Sequence, residues 1–183
     1  FSKTREDGGD LRFTDNNDNQ LNYYVTNWDS NNNLGTIYIK IPESGTSEII
    51  MYYGDQSLIS LSSCENTLTF CDEFTDGQFN HDKWSQIRMD DEDWNEGVTE
   101  SGWFMLKALN GKTLGNGNNT APMILSGDLG NINYELTTRV KFNTTPTENK
   151  QQAGLVVYND DNNYALADIG YLDGQKSNIA VEN

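Results

Sequence analysis

The sequence predicts an all-β protein built from antiparallel sheets. No window of about 11 to 18 residues repeats apolar side chains at the three- and four-residue spacing of a helix. Short runs rich in aromatic and β-branched residues instead follow one another along the chain, separated by Gly, Asn, Asp or Pro. Runs of this kind are typical of a β-sandwich or barrel.

Six runs are predicted to be strands. They are Thr36–Ile41, Glu48–Tyr53, Trp103–Ala108, Tyr134–Phe142, Gln152–Tyr158 and Tyr164–Ile169. The run from Tyr134 to Phe142 has the clearest alternation of apolar and polar residues, which predicts one buried and one solvated face. The three consecutive apolar residues Leu155 to Val157 favour a strand that is covered on both faces, or one near the middle of its sheet.

The net charge of the chain indicates which classes of molecule it can bind. The net charge is -16 and the isoelectric point is about 4.2, with 12 Lys and Arg against 28 Asp and Glu. Nucleic acid and anionic membranes are excluded as main partners, because both require a basic face. Acidity suits divalent cations, or solubility outside the cell. No apolar run approaches the ~18 residues that span a bilayer, and no signal-like segment opens the chain, so we expect a mature or excised protein.

Cys64 and Cys71 lie close together in CENTLTFC. In an exported protein such a pair is most simply a disulfide. Six intervening residues in an extended strand would span ~20 Å, whereas bridged Cα atoms lie ~5.5 Å apart. Either the segment turns back on itself or the two thiols are not bonded to each other.

The first part of the chain resembles a domain of unknown function that recurs in archaeal and bacterial surface proteins. The resemblance rests on GDLRFTD (Gly9–Asp15), Trp28, a K-I-P strand end at Lys40 to Pro42, and YYG at Tyr52 to Gly54. It implies a small β domain of the surface-protein type, which we assign to residues 1–63. It also implies that strands preceding the D-L-R-F segment are missing or reduced.

The rest of the chain, residues 64–183, resembles concanavalin A-like jelly rolls, particularly the C-terminal accessory domain of β-xylosidase-like glycoside hydrolases. The matching motifs are DEFTDGQFNHDKW (Asp72–Trp84), GNGNNTAPMIL (Gly115–Leu125) and QQAGLVVYNDDNNY (Gln151–Tyr164). The resemblance implies an antiparallel β-sandwich of the jelly-roll type that has lost its last strands. Such strands could be supplied by another chain through edge addition.

The acidic segment Asn159–Asn163 has two interpretations. Asn and Asp favour turn conformations, so N-D-D-N-N between two strands predicts a hairpin loop. Alternatively, Asp160 and Asp161 offer hard oxygen ligands to calcium. Asp90 and Asp91 belong to a second acidic run, which is either a solvated loop or a cation site. The jelly-roll resemblance implies one structural calcium, with Asp72 and Glu73 as ligands from the start of the domain.

A sugar site needs an aromatic platform with polar groups at its rim, because a pyranose has an apolar face and a ring of hydroxyls. The candidate platforms are Trp94 and Trp103, although either could equally be a packing residue. Candidate polar partners are Asn95, Asn118, Asn119 and Tyr164. N-x-T sequons at Asn118 and Asn143 are possible glycosylation sites in an exported protein.

Catalysis is not expected. The E-x-D-x-x-E triad of active glucanases with this architecture is absent from the sequence, and the single histidine, His81, has no nucleophile motif beside it. We therefore expect a non-catalytic extracellular or cell-surface protein that binds glycans or mediates adhesion to a neighbouring surface protein. Three alternatives stay open: a self-assembling subunit of a surface filament or sheath, an accessory module of a polysaccharide-degrading enzyme, and a spacer that holds another domain away from a cell envelope.

Overall fold

The computed structural model describes residues 1–42, 46–89, 97–107, 111–114, 119–130, 133, 135–149, 151–172, 175–176 and 180–182. The chain divides into two compact units, Phe1–Glu73 and Phe74–Asn183. Every strand pair in the described residues is antiparallel. The predicted all-β class is therefore confirmed.

The first unit contains four strands and one short helix. They are β1 (Arg12–Thr14), β2 (Tyr23–Asp29), β3 (Leu34–Ile39), β4 (Ile50–Tyr52) and α1 (Cys64–Thr67). β1 pairs with β4, and β2 pairs with β3. Strands were predicted at β3 and β4, whereas β1, β2 and α1 were not.

The core of the first unit gathers around Tyr23, which is 1% exposed and packs with Leu11, Phe13 and Leu21. Its phenol donates a hydrogen bond to the carbonyl oxygen of Leu11 at 2.8 Å and accepts one from the backbone N–H of Leu61 at 3.3 Å. One buried tyrosine thus connects three separate segments, and its polar atom is satisfied as burial requires.

Cys64 and Cys71 are joined by a disulfide whose Cα atoms lie 5.9 Å apart. The turn that the sequence left open is α1, which begins at Cys64 and is capped by the Ser63 hydroxyl, an acceptor from Asn66 N–H at 3.2 Å. The helical turn shortens the path between the cysteines, because a helix rises far less per residue than a strand.

The two compact units divide after Glu73, and the predicted domain bounds, 1–63 and 64–183, stay a prediction. The α1 segment belongs to the first unit, because it is bonded to it. The backbone N–H of Ser63 donates to the carbonyl oxygen of Tyr23 at 2.9 Å, and the carbonyl of Asn66 accepts from Asn22 and Lys40, both at 3.3 Å.

The second unit is a series of antiparallel hairpins and pairs. Its strands are β5 (Trp84–Ile87), β6 (Gly97–Glu100), β7 (Trp103–Met105), β8 (Met123–Ser126), β9 (Gln151–Asp160), β10 (Asn163–Leu172), β11 (Gln175–Lys176) and β12 (Ala180–Glu182). β5 pairs with β8 and β6 pairs with β7. β10 lies between β9 on one side and β11 and β12 on the other. Among the described residues β9 pairs only with β10, and Val157 is 47% exposed, so neither a central position nor cover on both faces is observed there for Leu155 to Val157.

Aromatic side chains pack against one another in the first part of the second unit. Phe74 lies 6.0 Å from Trp84 and 5.6 Å from Phe104 between ring centroids, and Phe79 lies 5.2 Å from Phe104. His81 packs edge-on against Phe79. Trp84 is thus a packing residue, as is Trp28 in the first unit, whose indole rests on Gly8 and Gly35.

The predicted strand Tyr134–Phe142 is wrong for the residues that can be described. Tyr134 lies outside them, and residues 135–142 form no ladder with any described strand. Leu136 and Val140 are 39% and 36% exposed, so the apolar side is not covered. Alternation favours a strand only when a neighbouring strand completes its hydrogen bonds, and none does so in the described part of the chain.

Side-chain oxygens close many of the turns by accepting the backbone N–H two residues ahead. The acceptors are Asp7, Asp15, Asp29, Asp55, Asp76, Asn80, Asp128 and Asp160. This is the Asx turn, in which the side chain replaces a backbone carbonyl. In the described residues, seven of the 28 acidic side chains of the protein therefore close turns in this way.

Asp15 tests this role, since it accepts from Asn17 N–H at 2.8 Å, Asn19 N–H at 2.9 Å and the Asn19 amide at 2.8 Å. We expect Asp15→Ala to lower the melting temperature at pH 7, because it leaves these donors unpaired. Asp15→Asn keeps an acceptor oxygen and should lose less. Asp82→Ala, at an exposed site, is the control.

The loss of stability in Asp15→Ala should depend on pH. The amide of Asn19, followed by the backbone N–H groups of Asn19 and Asn17, lowers the pKa of Asp15. A lowered folded pKa contributes stability above the unfolded value, about 3.9, and this contribution is lost as the pH falls through the folded value. Equal melting temperatures for Asp15→Ala and the unmodified protein at pH 7 would contradict the assignment.

Candidate functional site

The acidic segment at the tip of β9 and β10 is a two-residue turn, shorter than the predicted loop. Asp160 pairs with Asn163, so Asp161 and Asn162 alone form the connection. The Asp160 carboxylate accepts from Asn162 N–H at 2.8 Å and from the Asn163 amide at 2.9 Å. These donors lower the pKa of Asp160, the Asn162 N–H having the largest effect.

Asp161 points away from the turn and binds Arg88, which follows β5. The Arg88 Nη1 donates to Asp161 Oδ1 at 2.8 Å, and its Nε donates to the carbonyl oxygen of Ala121 at 3.0 Å. Tyr158 donates its hydroxyl to the same carboxylate oxygen at 2.6 Å, and the Asn119 amide donates to the backbone carbonyl of Asp161. We call Arg88, Asn119, Tyr158 and Asp161 the turn cluster.

The turn cluster brings together two of the predicted sugar-binding positions. Asn119 is a member, and Tyr164 lies directly opposite Tyr158 across the ladder, on the same face of the sheet. Sequence reasoning missed Arg88 and Tyr158. Pairing the two predicted strands around the hairpin could have placed Tyr158 opposite Tyr164, on the same face of the sheet. No sequence signal pointed to Arg88.

Charge and hydrogen bonding set the titration of the turn cluster. The Tyr158 hydroxyl, followed by the Arg88 guanidinium, lowers the pKa of Asp161. The same bond to the carboxylate raises the pKa of Tyr158. Asp161 is therefore ionised and Tyr158 protonated at neutral pH, so the cluster offers a fixed set of donors and acceptors.

Trp103 opens β7 and is partly buried. The Lys141 ammonium lies 4.0 Å and the Arg139 guanidinium carbon 4.9 Å from the centroid of its ring. Both separations are within the ~6 Å of a cation–π contact. Lys141 also forms an ion pair with Glu100, at 3.1 Å to either carboxylate oxygen. We call Trp103, Glu100, Arg139 and Lys141 the Trp103 cluster.

The predicted calcium ligands do not form a ligand set in the described residues. Asp160 and Asp161 are engaged as above, and Glu73 accepts a hydrogen bond from Tyr24 at 2.8 Å. Asp72 has partners of its own. The described part of the chain contains no group of three or more His, Cys, Asp or Glu arranged to hold a metal ion. Calcium binding stays a prediction, and no step of function is derived through it.

Several other predicted positions cannot be placed. Trp94, Asn95, Asn118, Asp90 and Asp91 lie outside the described residues. The other sequon residue, Asn143, is exposed, and its amide lies 3.4 Å from the sulfur of Met105. Its glycosylation stays a prediction.

Comparison with known proteins identifies both parts of the chain. Residues 71–183 match the family described as the beta xylosidase C-terminal concanavalin A-like domain. The chain belongs to this family. Residues 7–87 match a domain of unknown function, DUF2341. No curated protein and no solved structure matches the chain.

These matches confirm the resemblances drawn from the sequence motifs. They also confirm the fold class, an all-β, antiparallel, concanavalin A-like domain preceded by a β domain of another family. The turn cluster and the Trp103 cluster both lie within the concanavalin A-like match. They are therefore the candidate functional groups of this domain.

The turn cluster can be tested by titration. We expect the pKa of Asp161, followed by carbon-13 NMR of its carboxyl, to lie below the ordinary aspartate value and to rise in Arg88→Gln and in Tyr158→Phe. Asp160 is the internal control, because its pKa depends on other donors and should stay in place. An Asp161 pKa that does not move in Arg88→Gln would contradict the ion pair.

Proposed function

We propose that this chain is a non-catalytic extracellular module that binds carbohydrate, within a surface protein or alongside a polysaccharide-degrading enzyme. One observation carries the proposal: a concanavalin A-like domain presents Trp103 at the start of a strand, held in place by charged side chains. An indole fixed in this way is preorganised, so less conformational entropy is lost when a ligand binds.

The chemistry of the two clusters suits a polysaccharide. The apolar face of a pyranose packs on an aromatic ring, while its hydroxyls need donors and acceptors in fixed positions. The Trp103 cluster offers the ring, and the turn cluster offers carboxylate, phenol and amide groups that are already oriented by one another.

The proposal of a non-catalytic role is supported by the state of the acids. A glycosidase needs two carboxyl groups flanking the bond, one of them protonated. Glu100, the acid of the Trp103 cluster, is paired with Lys141, and Asp161 is paired with Arg88. The ion pair with Arg88 favours the charged carboxylate of Asp161, which cannot donate a proton.

An extracellular location is supported by the disulfide, because such bonds persist in oxidising compartments. Within the described residues, no helix is long and apolar enough to cross a membrane. The negative charge is also consistent with a solvated protein outside the cell.

The proposal is tested by binding to a panel of immobilised plant and microbial polysaccharides. We expect the protein to bind at least one polymer, Trp103→Ala to weaken this binding at least tenfold, and Tyr53→Ala to leave it unchanged. Tyr53 is a matched control, since it is an aromatic residue that is 49% exposed in the first unit. Circular dichroism verifies that each variant is folded. Release of reducing sugar from a bound polymer would overturn the non-catalytic role.

A second candidate is a subunit of a surface filament, and the edge of β9 favours it. β9 is ten residues long, and in the described residues it pairs only with β10. An open edge of that length can add a strand from another chain. We expect ordered polymers in negative-stain images if this occurs, and their loss in Val157→Lys, which places a charge on the edge strand. A monomer at high concentration would contradict it.

A further inference from the structure

The four arginines of the chain differ in their hydrogen-bond partners. Arg5, Arg12 and Arg88 each donate to a backbone carbonyl distant in sequence, at Leu58, Ile59 and Ala121. Each of the three thus ties one segment to another.

Arg139 differs from the other three. It is exposed, lies over Trp103, and has no hydrogen bond or ion pair with any described residue. Its five N–H donors are therefore unused in the described part of the molecule.

Lys141 adds a second cation at the same ring. Like Arg139, Lys141 lies over the Trp103 ring, so two cations contact one indole. Glu100 balances Lys141, but no described acid balances Arg139. The cluster therefore carries a net positive charge on a protein whose total charge is -16.

Packing alone explains only part of this arrangement. One cation over the ring would hold residues 135–142 against β7, and Lys141 does so with its own counter-ion. The second cation, which has no counter-ion among the described residues, leaves the cluster with a net positive charge at the ring. A guanidinium matches the two oxygens of a carboxylate or sulfate in a bidentate pair.

We propose that the Trp103 cluster binds an anionic polysaccharide, with Arg139 and Lys141 holding a carboxylate or sulfate group and Trp103 contacting the apolar side of the same sugar. This inference rests on the proposed carbohydrate-binding function and names the class of ligand. The total negative charge of the protein does not prevent it, because at ~0.15 M salt charges are screened beyond ~8 Å.

The experiment measures binding of the full chain to polygalacturonate, a sulfated galactan and neutral arabinoxylan in 0.15 M salt. We expect at least tenfold tighter binding to one or both anionic polymers than to arabinoxylan. Arg139→Gln should abolish this preference, and Arg139→Lys should restore part of it, because lysine keeps the charge without the planar fork. Lys112→Gln is the matched control, an exposed cation of the same unit outside the cluster.

The outcomes separate this inference from the proposed function. Binding to polygalacturonate alone assigns the group to carboxylate, and binding to both anionic polymers assigns it to either oxyanion. Equal binding to arabinoxylan and the anionic polymers would overturn the inference while the carbohydrate-binding function stands. An equal loss in Lys112→Gln would reduce the effect to bulk charge and also overturn it. Binding to none of the panel would overturn both.

Discussion

Hydrogen bonds from the backbone to Asp and Asn oxygens are the constraint on which the rest of this structure depends. The strands are short, so turns are frequent, and the N–H groups in each turn need acceptors. Asp10 shows the same principle in the core. Its carboxylate is 1% exposed and accepts from Arg5 N–H at 2.8 Å and Gly54 N–H at 2.6 Å. Burial would raise the pKa of Asp10, but the two N–H donors outweigh it and lower the value.

Part of the negative charge of the protein therefore has a structural role in the turns. Acids that accept turn N–H groups are distributed along the chain, and each engages at least one carboxylate oxygen in a local hydrogen bond. The few cations then become the informative residues. Three of the four arginines donate hydrogen bonds to backbone carbonyls of distant segments. Arg139 is the one among the four without a polar partner in the described residues.

The sequence predicted the fold class because alternation and turn residues are local signals, and the hairpin of β9 and β10 lies where they placed it. It failed at residues 134–142, because a strand also needs a partner, and partners are set by the remainder of the fold. Arg139 and Lys141 of this segment both lie over the Trp103 ring. The turn cluster could not be derived, since it joins Arg88 to Asp161, and no local pattern relates residues so far apart in sequence.

Both clusters lie near the turns of strand pairs. A short strand pair buries little apolar surface, so its tip is fixed chiefly by polar contacts. In the turn cluster those contacts come from Arg88 and Tyr158, and at β7 they come from the cations over Trp103. Under the proposed function, the groups that hold each tip in place are also the groups that contact the sugar. Rigidity and recognition would then depend on the same side chains, and a change that loosens a tip should weaken binding before it unfolds the domain.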